Sequence, residues 1–258
     1  MIRKMVLVFL FAFFLLPIAG ANGYNPAYQM NAVFRPVPDI DGVMTESEWN
    51  DASTVTFNNT VVYLKQDGKN LYAAFNISDN TVNVGPSITA PQDWVAIGID
   101  VENNGGWYPQ PDDVFLYVFR GGHLAEAQGT TPPSTVTSGW NAVIYSTNDY
   151  WQVEYNITYT KTQINAGESK TLGIVFTSGD YAVSFQDFWP PMTQSEAGSP
   201  SNWGNLVSEE NWVPEFQPLT AALMLVLATI LAIRVYRRKH TSTSSRLSSN
   251  FSRRISQI

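Results

Sequence analysis

The chain has 258 residues, 44% of them hydrophobic and only 14% charged, with 22 acidic against 15 basic side chains and no cysteine. This composition excludes a disulfide framework, a cysteine nucleophile and a thiolate metal site. The net charge of −7 argues against nucleic acid and polyanionic glycans as partners.

The first element in chain order is a secretory signal peptide over residues 1–21. Arg3 and Lys4 form a basic start, residues 5–16 are an unbroken apolar run, and Ala19-Gly20-Ala21 is a small-residue cleavage site. Residues 22–213 then form one domain, long enough for a substantial core. Its first marked stretch is DIDGVMTESEWNDA, residues 39–52. Thr45-Glu46-Ser47-Glu48 has the spacing of a capping box, which puts Trp49 on the inner side of a short helical turn. Asp41-Gly42 reads as a turn, Thr45 and Glu48 as caps, and Trp49 as a core plug. The carboxylates of this stretch are therefore chiefly scaffolding.

Strand patterns follow. VTFNNTVVYLK, NAVIYST and TLGIVFTS are apolar, β-branched runs. In NLYAAFNIS, Leu71, Ala73, Phe75 and Ile77 alternate with Tyr72, Ala74, Asn76 and Ser78. DWVAIGID and DVFLYVFR are apolar on both faces and read as central strands. In WQVEYNITY, Trp151, Val153, Tyr155, Ile157 and Tyr159 share one face, while Gln152, Glu154, Asn156 and Thr158 share the other, the pattern of a half-buried strand. Asp67-Gly68 and Asn104-Gly105-Gly106 are turn signals between strands. Many short strands with frequent turns predict an all-β fold, an antiparallel β-sandwich of jelly-roll type. Asn58, Asn76 and Asn156 each begin an N-x-S/T glycosylation sequon, the last two on polar strand faces where a glycan could stand in water.

The last elements are an anchor and a tail. Residues 219–233 are free of charge, and Phe216, Arg234 and Tyr236 extend the span toward the ~20 residues a bilayer needs. The expected transmembrane helix lies within residues 214–236, ahead of a basic, Ser-rich tail over residues 237–258. All 22 acidic residues lie within residues 39–215, and the whole segment 22–215 has only six basic ones, a balance of −16, while seven basic and no acidic residues follow residue 233. Positive charge stays on the cytoplasmic side, so the expected topology is a single-pass cell-membrane protein with its N-terminal domain extracellular. Val213-Pro214-Glu215-Phe216, the apolar span and the basic cluster resemble the PEF-type C-terminal anchor signals of archaeal surface proteins. With 18 residues following His240, a plain anchor is the reading adopted.

Several motifs, taken in order, carry a second resemblance. IDG with E–EW–DA, LKQDGKNLYAAFNISD, DWVAIGIDVENNGG, WQVEYNITYTKTQINAGESKTLGIVF, and FWPP with SPSNWGNL resemble the family 9 carbohydrate-binding modules and the wider DOMON-like group, over residues 38–206. The resemblance implies a jelly-roll-like sandwich that binds sugars without catalysis, often with structural calcium. Related domains bind haem or serve as interaction modules for other surface proteins.

Sugar binding needs flat rings to stack on C–H faces, with amides and carboxylates beside them. Trp107-Tyr108 lies in the loop ENNGGWYPQPDD beside Asn104, and Trp140, Trp189 and Trp203 stand next to Gly, Pro or Asn. These loop rings are the expected platform, the alternative being that each packs against an end of the sandwich. Trp94 and Trp151 fall in strands and read as core or sheet-face packing. Asp100, Glu102, Asp112 and Asp113 supply hard oxygens suited to Ca²⁺, without the EF-hand spacing, the alternative being a solvated acidic loop. No nucleophile elbow and no marked carboxylate pair point to an enzyme. A haem site would draw on His123 with Met30, Met44 or Met192, but His123 in Gly121-Gly122-His123 reads as an exposed strand-end residue.

Overall fold

A computed structural model describes residues 27–208 apart from 136, 137 and 166, together with Trp212 and Thr229. The expected signal peptide and cytoplasmic tail lie outside the described residues, as does the anchor apart from Thr229. Among the described residues no helix is long and apolar enough to cross a membrane. The chain divides into two compact units, residues 1–214 and 215–258, and the first of them carries the fold described below.

That fold is all-β. Strands β1 (Gln29–Phe34), β2 (Ser53–Phe57), β3 (Thr60–Gln66) and β4 (Asn70–Ser78) are followed by β5 (Trp94–Asp100), β6 (Asp113–Phe119), β7 (Leu124–Gln128) and β8 (Ser134–Thr135). Then come β9 (Trp140–Ser146), β10 (Tyr150–Thr158), β11 (Leu172–Asp180), β12 (Phe185–Trp189) and β13 (Gly204–Ser208). Two one-turn helices, α1 (Glu46–Trp49) and α2 (Gln194–Ala197), and a 3₁₀ turn (Pro200–Asn202) complete it.

The strands join into one mixed sheet that folds back on itself, in the order β8-β7-β6-β5-β11-β13-β1-β3-β4-β10-β9. β12 pairs with the second half of β11, and β2 with β3. One layer runs from β8 to β13 and the other from β3 to β9, with β1 as the hinge between them. β1 pairs with β13 through Gln29–Ala32 and with β3 through Val33–Phe34, both in parallel. This corrects the expectation of a purely antiparallel sandwich. The first strand runs in the same direction as both neighbours because it closes the two layers along one edge. The other ladders are antiparallel.

Period-2 patterning builds the core between the layers. Val95, Ile97 and Ile99 of β5 and Val114, Leu116 and Val118 of β6 face Leu71, Phe75, Val153 and Tyr155 of the opposite layer. Phe75 meets Phe176 edge-on with ring centroids 5.9 Å apart, and the buried Tyr155 hydroxyl donates toward the carbonyls of Val95 and Leu116. On the side away from β1, Trp140 Nε1 donates to Glu126 (2.9 Å) and Lys161 pairs with the same carboxylate (2.8 Å), so side chains bridge the gap the ladder leaves open.

From Trp151 to Tyr155, β10 is buried on both faces, while Asn156 and Thr158 stay half-exposed. Its polar face lies beneath residues 39–49, and Gln152 and Glu154 have lost their water. Glu154 accepts hydrogen bonds from Trp49 Nε1 (2.8 Å), Gly42 N (2.7 Å) and Asp41 N (3.1 Å). Burial pushes its carboxyl above the usual carboxylate range, and the bonds from Trp49 and Gly42 oppose the shift. Trp49 is only 2% exposed and packs with Tyr72, Ala74 and Tyr63. Glu48 reaches back to Thr45 N (3.2 Å), as a capping box requires. Gly42 has φ +91°, and a β-carbon there would fall 2.9 Å from the Ile144 carbonyl carbon, so both the turn and the close approach call for glycine. The stretch is a scaffold latch over the outer face of the β3–β4–β10 layer.

Candidate functional site

Three of the four candidate loop rings are buried. Trp140 is the first residue of β9, 6% exposed and parallel to Tyr155 at 5.9 Å. Trp189 ends β12 at 8% exposure, against Phe176 and Tyr28. Trp203 is fully buried, donates from Nε1 to the Ala197 carbonyl (2.9 Å) and meets Phe115 edge-on. Each of these rings packs against the sheet, so the expectation of loop-borne, water-facing rings is corrected for these three. Trp107 and Tyr108 do stand in water, 86% and 76% exposed, beside the exposed Asn104. Their loop is pinned at Gly106, which donates to Ser201 Oγ (2.8 Å) and accepts from Ser199 Oγ (2.7 Å).

The sequon asparagines are placed unequally. Asn58 is exposed in the β2–β3 turn at φ +45°. Asn76 and Asn156 are half-buried on the outer face, and Asn156 Oδ1 is buried without a hydrogen-bond partner, so that face does not stand clear in water. His123 sits half-buried in the β6–β7 hairpin with Nε2 3.0 Å from the Gly85 carbonyl. Met30 is in the core, Met192 packs with the Trp203 cluster, and Met44 packs beside Trp49.

The acidic residues partly converge. Asp100 ends β5 and Asp113 begins β6 directly opposite, and both are fully buried. With Asp112 they bring one oxygen each within 4.8 Å of one another. The exposed Glu102 is not in this group. Asp100 accepts from Gly105 N (2.9 Å) and Asn104 N (3.3 Å), and Asp113 Oδ2 from Gln110 N (2.5 Å). Asp113 Oδ1 is buried with no hydrogen-bond partner, as is Asn103 Oδ1. Burial first, and then the charges of Asp100 and Asp112, push the Asp113 carboxyl up to about 7, against the pull of the Gln110 N–H. Buried oxygens that lack donors and crowd one another suit a hard cation.

A cleft at the opposite end of β5 was not legible in the sequence. It has a volume of about 400 Å³ and is lined by Gln92, Trp94, Asp180, Tyr181, Ser184, Gln186 and Gln194. Because Val95, Ile97 and Ile99 point inward, Trp94 points outward. Its ring lies over Gly179, where a β-carbon would fall 2.3 Å from Nε1. Only glycine leaves room for the ring to lie down on the sheet.

The segments that bring Gln92 and Tyr181 to the cleft are held by a buried ion cluster. Arg120 donates through one terminal nitrogen to Asp79 (2.8 Å), Asp93 (3.1 Å) and the Thr81 carbonyl, through Nε to Ser146 Oγ (2.9 Å), and through its other nitrogen to the Thr147 carbonyl (2.9 Å). Asp93, next to Gln92 in the chain, also accepts from Tyr181 N (3.0 Å) and Asn83 N (3.2 Å), tying the Gln92 side of the cleft to Tyr181. A partly exposed indole beside two free-standing wall amides, Gln186 and Gln194, can stack on a ring's C–H face and bind its hydroxyls.

No protein-family model matches the chain, and no curated protein matches it. Solved structures do. A carbohydrate-binding module of family 9 from Caldicellulosiruptor kristjanssonii, in complex with cellotriose, aligns at TM-score 0.54 and 18% identity over 70% of this chain and 93% of its own. The same source's family 9 module in complex with glucose aligns at TM-score 0.54 and 18% identity over 70% of this chain and 95% of its own. At that identity the likeness establishes the architecture: the β-rich unit of this chain has a fold like that of family 9 carbohydrate-binding modules.

Proposed function

We propose that this chain is a non-catalytic carbohydrate-binding protein that holds a neutral sugar in the Trp94 cleft, displayed outside the cell on a single C-terminal anchor. The observation that carries the reading is the Trp94 ring laid over Gly179 within a rim of amides. The fold likeness to sugar-binding modules supports it, and the charge division between residues 39–215 and the tail supports the topology. Titration of the full-length protein in detergent with glucose and cellotriose is the test. Trp94→Ala should weaken binding at least about tenfold while the melting temperature holds, because a partly exposed ring contributes more to the ligand than to the core. Loss of binding in Trp107→Ala with Trp94→Ala unaffected would move the site to the exposed Trp107–Tyr108 loop. A Soret band lost on His123→Ala would replace the sugar by haem.

We further propose that Asp100, Asp112 and Asp113 hold a structural Ca²⁺, whose charge would neutralise the crowded carboxylates. Without the ion, Asp113 keeps its proton to about pH 7, whereas an unfolded aspartate releases it near ~4. A carboxyl raised in the folded state contributes stability that is full below ~4 and is lost as pH rises through about 7. Chelated protein should therefore lose melting temperature across that window. Added Ca²⁺ should restore it at neutral pH by mass action, and Asp113→Asn should abolish both effects. The same pH slope in Asp113→Asn would assign it to other groups.

A further inference from the structure

The Trp94 cleft does not end at Trp94. On the same outer face, β6 turns every second side chain outward, giving Phe115, Tyr117 and Phe119, each partly exposed. Their rings are nearly parallel, with centroids 6.1 and 6.3 Å apart and planes 25° and 18° apart. Tyr117 comes within 5.7 Å of Trp94, and Phe119 is its register partner across the ladder. The neighbouring positions are small. A β-carbon at Gly98 would fall 2.9 Å from the Phe115 ring, and Ala96 and Ala125 are the register partners of Tyr117. Glycine and alanine thus leave room for rings to lean over the sheet. Phe115 is abutted by Trp203, so the open part of the row is Trp94, Tyr117 and Phe119. No outward side chain of β6 between Asp113 and the end of the strand is charged.

We propose that this row extends the cleft into a platform for an unbranched neutral polysaccharide, so that the protein binds along a chain and not a single terminal sugar. The inference rests on the carbohydrate reading of the Trp94 cleft. Continuity with that cleft and the absence of charge favour a glycan over a protein. Even counted whole, three aromatic side chains of ~150–250 Å² each fall short of the ~800 Å² per partner of a standard protein interface. A row of rings also offers stacking at successive positions, each sensitive to the next sugar.

The test is calorimetric titration of the full-length protein with cello-oligosaccharides of one to six residues. Affinity should rise at least about tenfold from the monosaccharide to the tetrasaccharide, one good stacked contact being worth roughly a factor of ten. Tyr117→Ala and Phe119→Ala should remove that gain and leave monosaccharide binding intact. Tyr117→Phe, which keeps the ring and the fold, should retain it. Affinity independent of length, with monosaccharide binding lost only in Trp94→Ala, would overturn the platform and leave the cleft standing. Binding of no oligosaccharide by the parent would overturn both. Concentration-dependent dimerisation abolished by Tyr117→Ala and Phe119→Ala, with no length dependence, would assign the row to a second copy of the chain and also overturn the proposal.

Discussion

Trp49→Ala should destabilise the β-rich unit by ~3–5 kcal/mol, the usual loss for a large buried aromatic. Two effects add. The ring fills the space between α1 and the outer face of the β3–β4–β10 layer, with the Tyr63 ring 6.3 Å away and the buried Lys65 ammonium 5.1 Å from its centroid. Its indole N–H is also one of three donors to the fully buried Glu154. Removing it leaves a buried carboxylate short of a donor, a desolvation cost beyond the lost packing. The two effects separate by pH. Glu154 already sits above the usual carboxylate range, and the Trp49 bond opposes that rise, so the variant should raise it further. A carboxyl with a raised folded pKa loses stabilisation as pH increases through that value. The deficit of the variant should accordingly be larger at neutral pH than at pH ~4, read from denaturant midpoints at each pH. Thr45→Ala, which removes only a helix cap, should cost ~1 kcal/mol. Full stability in Trp49→Ala would return the 39–52 stretch to a ligand-facing role.

The strands were legible because their signal is local. Alternation in WQVEYNITY and NLYAAFNIS survives as the ladder between β10 and β4, with Val153 opposite Phe75. What the sequence does not carry is what covers the second face. Gln152 and Glu154 look like a water-facing row until residues 39–49 are folded over them. The same gap explains the rings. Trp203, between Asn and Gly, looks like a loop platform, yet it is sealed beneath α2. Trp94, in a strand, is partly open to water, laid over a glycine 85 positions further along, at Gly179. Side-chain direction alternates predictably along a strand, but which of the two faces stays wet is decided by distant segments. The parallel hinge β1 was hidden for a related reason. Met30 and Ala32 point into the core, but QMNAVF is short and only weakly apolar. The Asp100–Asp113 pair was closer to legible, since the two residues flank one loop, but only the β5–β6 register reveals that they face each other and that Glu102 does not join them.

Arg120→Ala should cost ~3–5 kcal/mol, because breaking a buried ion cluster leaves its partners charged and unpaired. The guanidinium is completely buried, Asp79 and Asp93 are 5% and 1% exposed at the side chain, and the Trp151 ring lies 5.7 Å from it. Burial raises the Asp93 carboxyl, while its bonds from Tyr181 N–H, Arg120 and Asn83 N–H oppose the rise and Asp79 adds to it. Without Arg120, two carboxylates face each other in a dry site, so the variant should recover stability as pH falls and Asp93 protonates. Because the three groups act as a unit, the losses should not add. Adding Asp93→Asn to Arg120→Ala should recover part of the deficit, whereas Asp93→Asn alone should destabilise the parent. This cluster also reaches the Trp94 cleft, since Asp93 is the chain neighbour of two lining residues, Gln92 and Trp94, and accepts from the backbone of a third, Tyr181. Sugar affinity in Arg120→Ala should therefore fall at temperatures well below its melting point, even though Arg120 itself is sealed away from the cleft. A variant that melts early but binds cellotriose with parental affinity while folded would show that the walls keep their positions without the cluster.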